Sequence, residues 1–105
     1  MRAVIDIGTN SVLLLLAERD GDGVRVVRDQ STITRLGQGA GASGVLAAEA
    51  IERTLACLAE YRAAAEAVGA TIVPVTTEGV RMARNQSDFL EPAAAVLGVP
   101  VRILS

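Results

Sequence analysis

Two apolar runs, Ala3 to Ile7 and Val12 to Glu18, are separated only by Gly8-Thr9-Asn10-Ser11. A crossover between parallel strands needs a dozen or more residues, so the pair reads as two strands joined by a tight turn. Asp20-Gly21-Asp22-Gly23 is a second turn signal, after which Val24 to Arg28 partly alternates and continues through Ile33 and Leu36 as a third antiparallel strand. The pattern then changes period. From Ala48 to Val68 the chain is Ala-rich, with Ile51, Leu55, Leu58, Arg62, Ala65 and Val68 near one face and Gly69 at the C-cap position, which predicts a long helix. Thr71 to Val75 reads as a buried strand, Glu78 to Arg84 as a helical turn or two, and Phe89 to Leu97 as a helix carrying Pro92. Val101 to Leu104 begins a last strand after the Gly98-Val99-Pro100 break. The order β-β-β-α-β-α-β implies an α/β fold, with three antiparallel strands and two right-handed crossovers in one mixed sheet. Ending at Ser105 with no helix for the sheet's other face, the chain reads as a subdomain truncated at its C-terminal end.

The 105 residues fit one small domain, residues 1–105. All ten basic residues are arginine and the net charge is -2, so nothing favours nucleic acid as a partner. The absence of histidine removes an imidazole base, a Ser-His-Asp triad and a Cys/His zinc site. A lone Cys57, set in helical periodicity, reads as a core thiol and points to a reducing compartment. The longest apolar run, Val12 to Ala17, is far too short to span a bilayer, and the N-terminus lacks a signal-peptide layout. The expected location is cytoplasmic, with no membrane partner.

Gly37, Gly39, Gly41 and Gly44 form a flexible stretch that invites comparison with nucleotide loops. It follows a third strand rather than the first strand of a βαβ unit, so it is not expected to touch a ligand directly. The richer segment is Asp6-Ile7-Gly8-Thr9-Asn10-Ser11. Gly8 lets the backbone approach an anion, the amides from Gly8 to Ser11 are able to form a nest, and the Thr9 and Ser11 hydroxyls add donors. Asp6, an acid within an apolar strand, reads as a buried carboxylate that needs a partner, and a hydrated Mg²⁺ beside a phosphate would supply one. The alternative is an ordinary β-turn in which Gly8 and Asn10 supply the conformation. A second candidate lies at Thr76 to Asn85. There Thr76 and Thr77 are placed to cap a helix at the C-terminal edge of the sheet, and Arg81 is placed to grip a phosphate or to pair with Glu78.

Together these segments resemble the exopolyphosphatase / guanosine pentaphosphate phosphohydrolase (Ppx/GppA) family of the actin, Hsp70 and sugar-kinase superfamily. Its members open with Asp-Ile-Gly-(Ser/Thr)-Asn-Ser, matched by Asp6 to Ser11, and carry Arg-Leu-Gly-x-Gly, matched by Arg35 to Gly39. A helix resembling Glu49 to Arg53, an Ala-Thr-x-x-x-Arg-x-Ala-x-Asn motif matched from Thr76 to Asn85, and Phe89-Leu90 complete the set. Departures are Ala47-Ala48 where Ser-Pro is common, Thr76 for alanine, and Pro92 in a helix. The resemblance implies a ribonuclease H-like (actin-like ATPase) subdomain, phosphate binding by Gly8, Thr9, Asn10, Ser11 and Arg81, and a Mg²⁺-linked Asp6. It also assigns Arg81 a catalytic part in stabilising phosphate charge.

The activity implied is Mg²⁺-dependent hydrolysis of terminal phosphoanhydride bonds in polyphosphate or guanosine pentaphosphate, by a protein that is a homodimer when full-length. In the family a Gly-Glu-x-Glu-Ala stretch with the general base, and an Asp-x-Gly-Gly-Gly-Ser hairpin opposite, follow the point reached by Ser105. The 105-residue chain alone is therefore expected to be inactive. Alternatives are a sugar- or acetate-kinase-like phosphotransferase of the same superfamily, or a standalone phosphate-binding or interaction module.

Overall fold

The computed structural model describes residues 1–104, apart from the side chains of Glu78 and Arg81. The elements are β1 (Arg2–Ile7), β2 (Ser11–Asp20), β3 (Gly23–Ile33), α1 (Ala40–Ser43), α2 (Ala48–Ala67), β4 (Thr71–Thr76), α3 (Glu78–Arg81), α4 (Ser87–Leu97) and β5 (Arg102–Ile103). Their sheet order is β3-β2-β1-β4-β5. β1, β2 and β3 pair antiparallel, whereas β4 runs parallel to β1 and β5 parallel to β4, which is the mixed sheet expected from the sequence. Because β1, β4 and β5 are parallel, their C-terminal ends lie along one edge, and the β1–β2 turn and α3 both emerge there.

Alternation decides which residues enter the core. Ala3, Ile5 and Ile7 of β1 and Val12, Leu14 and Leu16 of β2 are buried and pack against α2 and α4. The opposite face, with Val4, Leu13, Leu15, Val73 and Val75, is half-buried. α2 turns Ile51, Thr54, Cys57, Leu58, Tyr61 and Ala65 inward, and Val68 is exposed, so the buried stripe is rotated from the one the sequence suggests. Cys57 is a core thiol, as expected. Arg62 does not enter the core. Its Nη1 donates to the Val96 carbonyl at 2.7 Å and satisfies a carbonyl at the end of α4. The Tyr61 hydroxyl donates to the Val12 carbonyl at 3.2 Å and shares a 2.6 Å bond with Thr32 Oγ1, tying α2 to β2 and β3. Burial pushes the Cys57 thiol and the Tyr61 phenol up from their ordinary values.

α4 runs through Pro92 with one ladder hydrogen bond forgone. Phe89, Ala93 and Leu97, one turn apart, are buried against the core and outweigh that loss. α2 starts at Ala47 without a side-chain cap, in line with the missing Ser-Pro. Among the described residues no helix is long and apolar enough to cross a membrane.

Candidate phosphate site at the sheet edge

The turn between β1 and β2 is closed by the Gly8 amide donating to the Ser11 carbonyl at 2.9 Å. That amide is spent inside the hairpin, so the expected nest loses its first member. The carbonyls of the turn are spent as well. Thr9 O accepts from Gly37 N at 2.8 Å, and Asn10 O accepts from Thr34 N at 3.1 Å and Arg35 N at 2.9 Å. A trans peptide sets its N–H opposite its C=O, so the Asn10 and Ser11 amides point away from the Thr34–Gly37 turn. The Thr9 and Asn10 amides, which lie outside any strand, make no backbone hydrogen bond among the described residues. The Thr9 and Asn10 carbonyls are thus turned into the protein, while the Asn10 and Ser11 amides point away from that turn.

Asp6 corrects the sequence reading. Alternation places it opposite the inward Ile5 and Ile7, and its side chain is exposed rather than buried. The carboxylate therefore has no burial penalty that demands a partner. A cluster of three or more acidic, cysteine or histidine ligands is absent among the described residues. One exposed carboxylate fits a Mg²⁺ that keeps its waters and arrives with a phosphate, and does not make a protein cage.

The Thr76 expectation also changes. Thr76 is the last residue of β4, fully buried, and its Oγ1 donates to the Ile7 carbonyl at 2.7 Å, so it joins β4 to β1 instead of capping a helix. Only Thr77 precedes α3, and that helix is a single turn of four residues, too short for a useful dipole. The α3 backbone places Arg81 at the same edge as the hairpin, while its side chain, the expected phosphate and catalytic contact, lies outside the described residues.

The glycine-rich segment is where the sequence reading missed most. It contains the α1 turn, entered by Gly39 and left by Gly44, both with positive φ. Gly37 and Gly79 flank Thr9 so closely that a Cβ at Gly37 would stand 2.8 Å from Thr9 Cβ, and one at Gly79 would stand 2.5 Å from Thr9 Cγ2. The Thr9 side chain is wedged between the loop and α3. Arg53 of α2 holds the same loop through Nε to Thr34 O at 2.9 Å and Nη2 to Gln38 Oε1 at 2.9 Å. Asn85 pairs with both Leu46 N and Leu46 O, at 2.7 and 3.0 Å, and Arg84 Nη2 donates to Ser43 O at 2.8 Å. The conspicuous Arg84 and Asn85 are thus structural, fastening the chain after α3 to the loop. A cleft of about 320 Å³ remains beside the hairpin, lined by Thr9, Asn10, Arg35, Gly37 and Gln38. A second of about 280 Å³ lies between the loop and α3. The spacing of Arg35-Leu36-Gly37 from the hairpin carried no signal of this contact, because it is made across the sheet edge.

Residues 15–105 match the Ppx/GppA phosphatase family. The Ppx/GppA phosphatase of Aquifex aeolicus is 31% identical and superposes with a TM-score of 0.91 over 97% of this chain and 34% of its own. An exopolyphosphatase-like protein is 30% identical with a TM-score of 0.92, over 98% of this chain and 32% of its own. An exopolyphosphatase from Cytophaga hutchinsonii, at 23% identity and a TM-score of 0.91 over 97% of this chain and 33% of its own, shares the fold. The chain spans about a third of the length of these solved relatives. With a family match over residues 15–105 and a shared fold over nearly the whole chain, the chain belongs to the Ppx/GppA phosphatase family.

Proposed function

We propose that this chain forms one wall of a site that hydrolyses terminal phosphoanhydride bonds of polyphosphate or guanosine pentaphosphate. The observation that carries this reading is the hairpin tip, whose Thr9 and Asn10 carbonyls are engaged by the Thr34–Gly37 turn and whose Asn10 and Ser11 amides point away from that turn. A terminal phosphoryl group held there would meet those amides, the kind of donor a multiply charged anion requires. Gly8 keeps the approach open, and Arg81, one turn of α3 away from Thr77, adds charge from the neighbouring strand end. Asp6 would hold a hydrated Mg²⁺ through its exposed carboxylate, and such an ion shields the phosphate oxygens from the incoming nucleophile's electrons when bound.

Phosphoryl transfer requires the water to be positioned and the charge to be neutralised from both sides. The solved relatives are about three times this length; on this reading the 105 residues supply one wall alone and bind phosphate without turning it over. Amide NMR with short polyphosphate and Mg²⁺ tests the reading. Shifts at Gly8 through Ser11 and at Arg81 are expected, with no orthophosphate released on prolonged incubation. A dispersed spectrum unmoved by polyphosphate would remove the phosphate assignment, and measurable release would remove the inactivity.

A further inference from the structure

Arg35 is the one non-glycine residue among those described with positive φ, at 51°. Most side chains avoid that region, and non-glycine residues held there are kept by surrounding structure and concentrate at ligand-binding positions. The surrounding structure is visible. Arg35 N is tied to Asn10 O, Leu36 beyond it is fully buried, and Arg53 Nη2 approaches Arg35 O at 3.4 Å. The backbone is bent so that this residue borders the cleft of about 320 Å³ beside the hairpin.

The lining of that cleft is one-sided. Among the described residues Thr9, Asn10, Arg35, Gly37 and Gln38 bring one full positive charge and no carboxylate. Gln38 Oε1 already accepts from Arg53 Nη2, so its side chain is left its two N–H donors. Arg35 itself is exposed and makes no ion pair among the described residues, and its planar guanidinium is able to take a phosphoryl group with two parallel bonds.

We infer that the cleft formed by Arg35, Gln38 and the hairpin tip is a second anion subsite, which takes the next phosphoryl group of a linear polyphosphate whose terminal group sits on the hairpin. This rests on the phosphate reading of the hairpin and assigns the glycine-rich loop the task of measuring chain length. Arg35 binds the part of the substrate that does not react, so it contributes to affinity for a chain over a single phosphate.

The test is titration calorimetry of the protein with orthophosphate and with tripolyphosphate, in Mg²⁺, for the wild type, Arg35→Asn and Arg35→Lys. Asparagine tolerates left-handed φ better than most residues, so Arg35→Asn removes the charge and keeps the loop. Thermal unfolding is expected to be unchanged or higher for this variant, and Arg35→Gly provides the same charge removal with no side chain to strain. Arg35→Asn is expected to weaken tripolyphosphate about tenfold, the loss of one charge-assisted contact, and to leave orthophosphate unchanged. Arg35→Lys should lie between. If Arg35→Asn and Arg35→Gly bind tripolyphosphate as the wild type does while orthophosphate still binds, the second subsite is wrong and the hairpin site stands. If the wild type binds neither phosphate, the hairpin reading fails and this inference fails with it.

Discussion

Alanine at Gly37 and at Gly79 probes two contacts made by one threonine, and the structure separates them. Neither glycine has positive φ, so alanine brings no backbone strain and the cost is contact alone. At Gly79 the new methyl meets Thr9 Cγ2 at 2.5 Å, with Thr9 Cβ and Oγ1 both at 3.7 Å. Cγ2 ends a short side chain and moves away when Thr9 rotates about χ1. At Gly37 the nearest atom, at 2.8 Å, is Thr9 Cβ itself. Cβ moves only with the hairpin backbone, which the 2.8 Å bond from Gly37 N to Thr9 O holds in place. Overpacking costs about 1–3 kcal/mol, so Gly37→Ala belongs near the top of that range and Gly79→Ala near the bottom. In a domain of this size each kcal/mol lowers Tm by roughly 4–8 °C, well within the reach of thermal unfolding followed by circular dichroism. Thr9→Ser removes Cγ2 and keeps Cβ and the hydroxyl. In the double variants it should bring Gly79→Ala to within about 0.5 kcal/mol of Thr9→Ser alone and leave Gly37→Ala as unstable as before. Rescue of both glycine variants by Thr9→Ser, or of neither, would refute the wedge.

Three further outcomes follow from the same geometry. Asn85→Ala deletes both bonds to Leu46 and is expected to cost about 1–3 kcal/mol, read as a lower urea midpoint with an unchanged slope. Asp6→Asn alters an exposed side chain, so Tm should hold while the Mg²⁺-dependent part of tripolyphosphate affinity disappears in calorimetry. Burial raises Cys57 and Tyr61, so both hold their protons more tightly folded than unfolded. The stability they contribute is fully present below the unfolded values, about 8.5 for a thiol and 10 for a phenol, and is lost as pH rises through the higher folded ones. Urea midpoints that fall from pH 8.5 upward, together with a Cys57 thiol that resists labelling at neutral pH, would bear this out.

Local rules made the sheet legible and left the loop obscure. Strands joined by turns of a few residues have one practical pairing, and the long helix declared itself by length and composition. Its inward face was misplaced because alanine lies all around α2 and carries little directional signal, so Leu55, Arg62 and Val68 were as plausible as Thr54, Cys57 and Tyr61. The Asp6 error was avoidable. The alternation that buries Ala3, Ile5 and Ile7 places Asp6 on the other face without any structure. α1 carries no such signal, since Ala40-Gly41-Ala42-Ser43 is a poor helix by propensity and its end is held by Arg84, distant in sequence. The contact of the Arg35 to Gly39 segment with the hairpin is visible only in three dimensions.

That contact explains why a four-residue turn is able to present donors at all. An isolated hairpin tip would leave its carbonyls beside its amides, and an anion would meet both signs of partial charge. Here the turn from Thr34 to Gly37 takes up the backbone carbonyls of Thr9 and Asn10. Arg53 then fixes that turn from the helix side, and the two glycines close on Thr9 from left and right. On the proposed reading, selectivity for anions at the tip would be produced one layer behind it, by the Thr34, Arg35 and Gly37 amides and by Arg53. Loosening that layer at Arg53 should weaken phosphate binding through misdirected amides, even though the charge removed lies behind the loop.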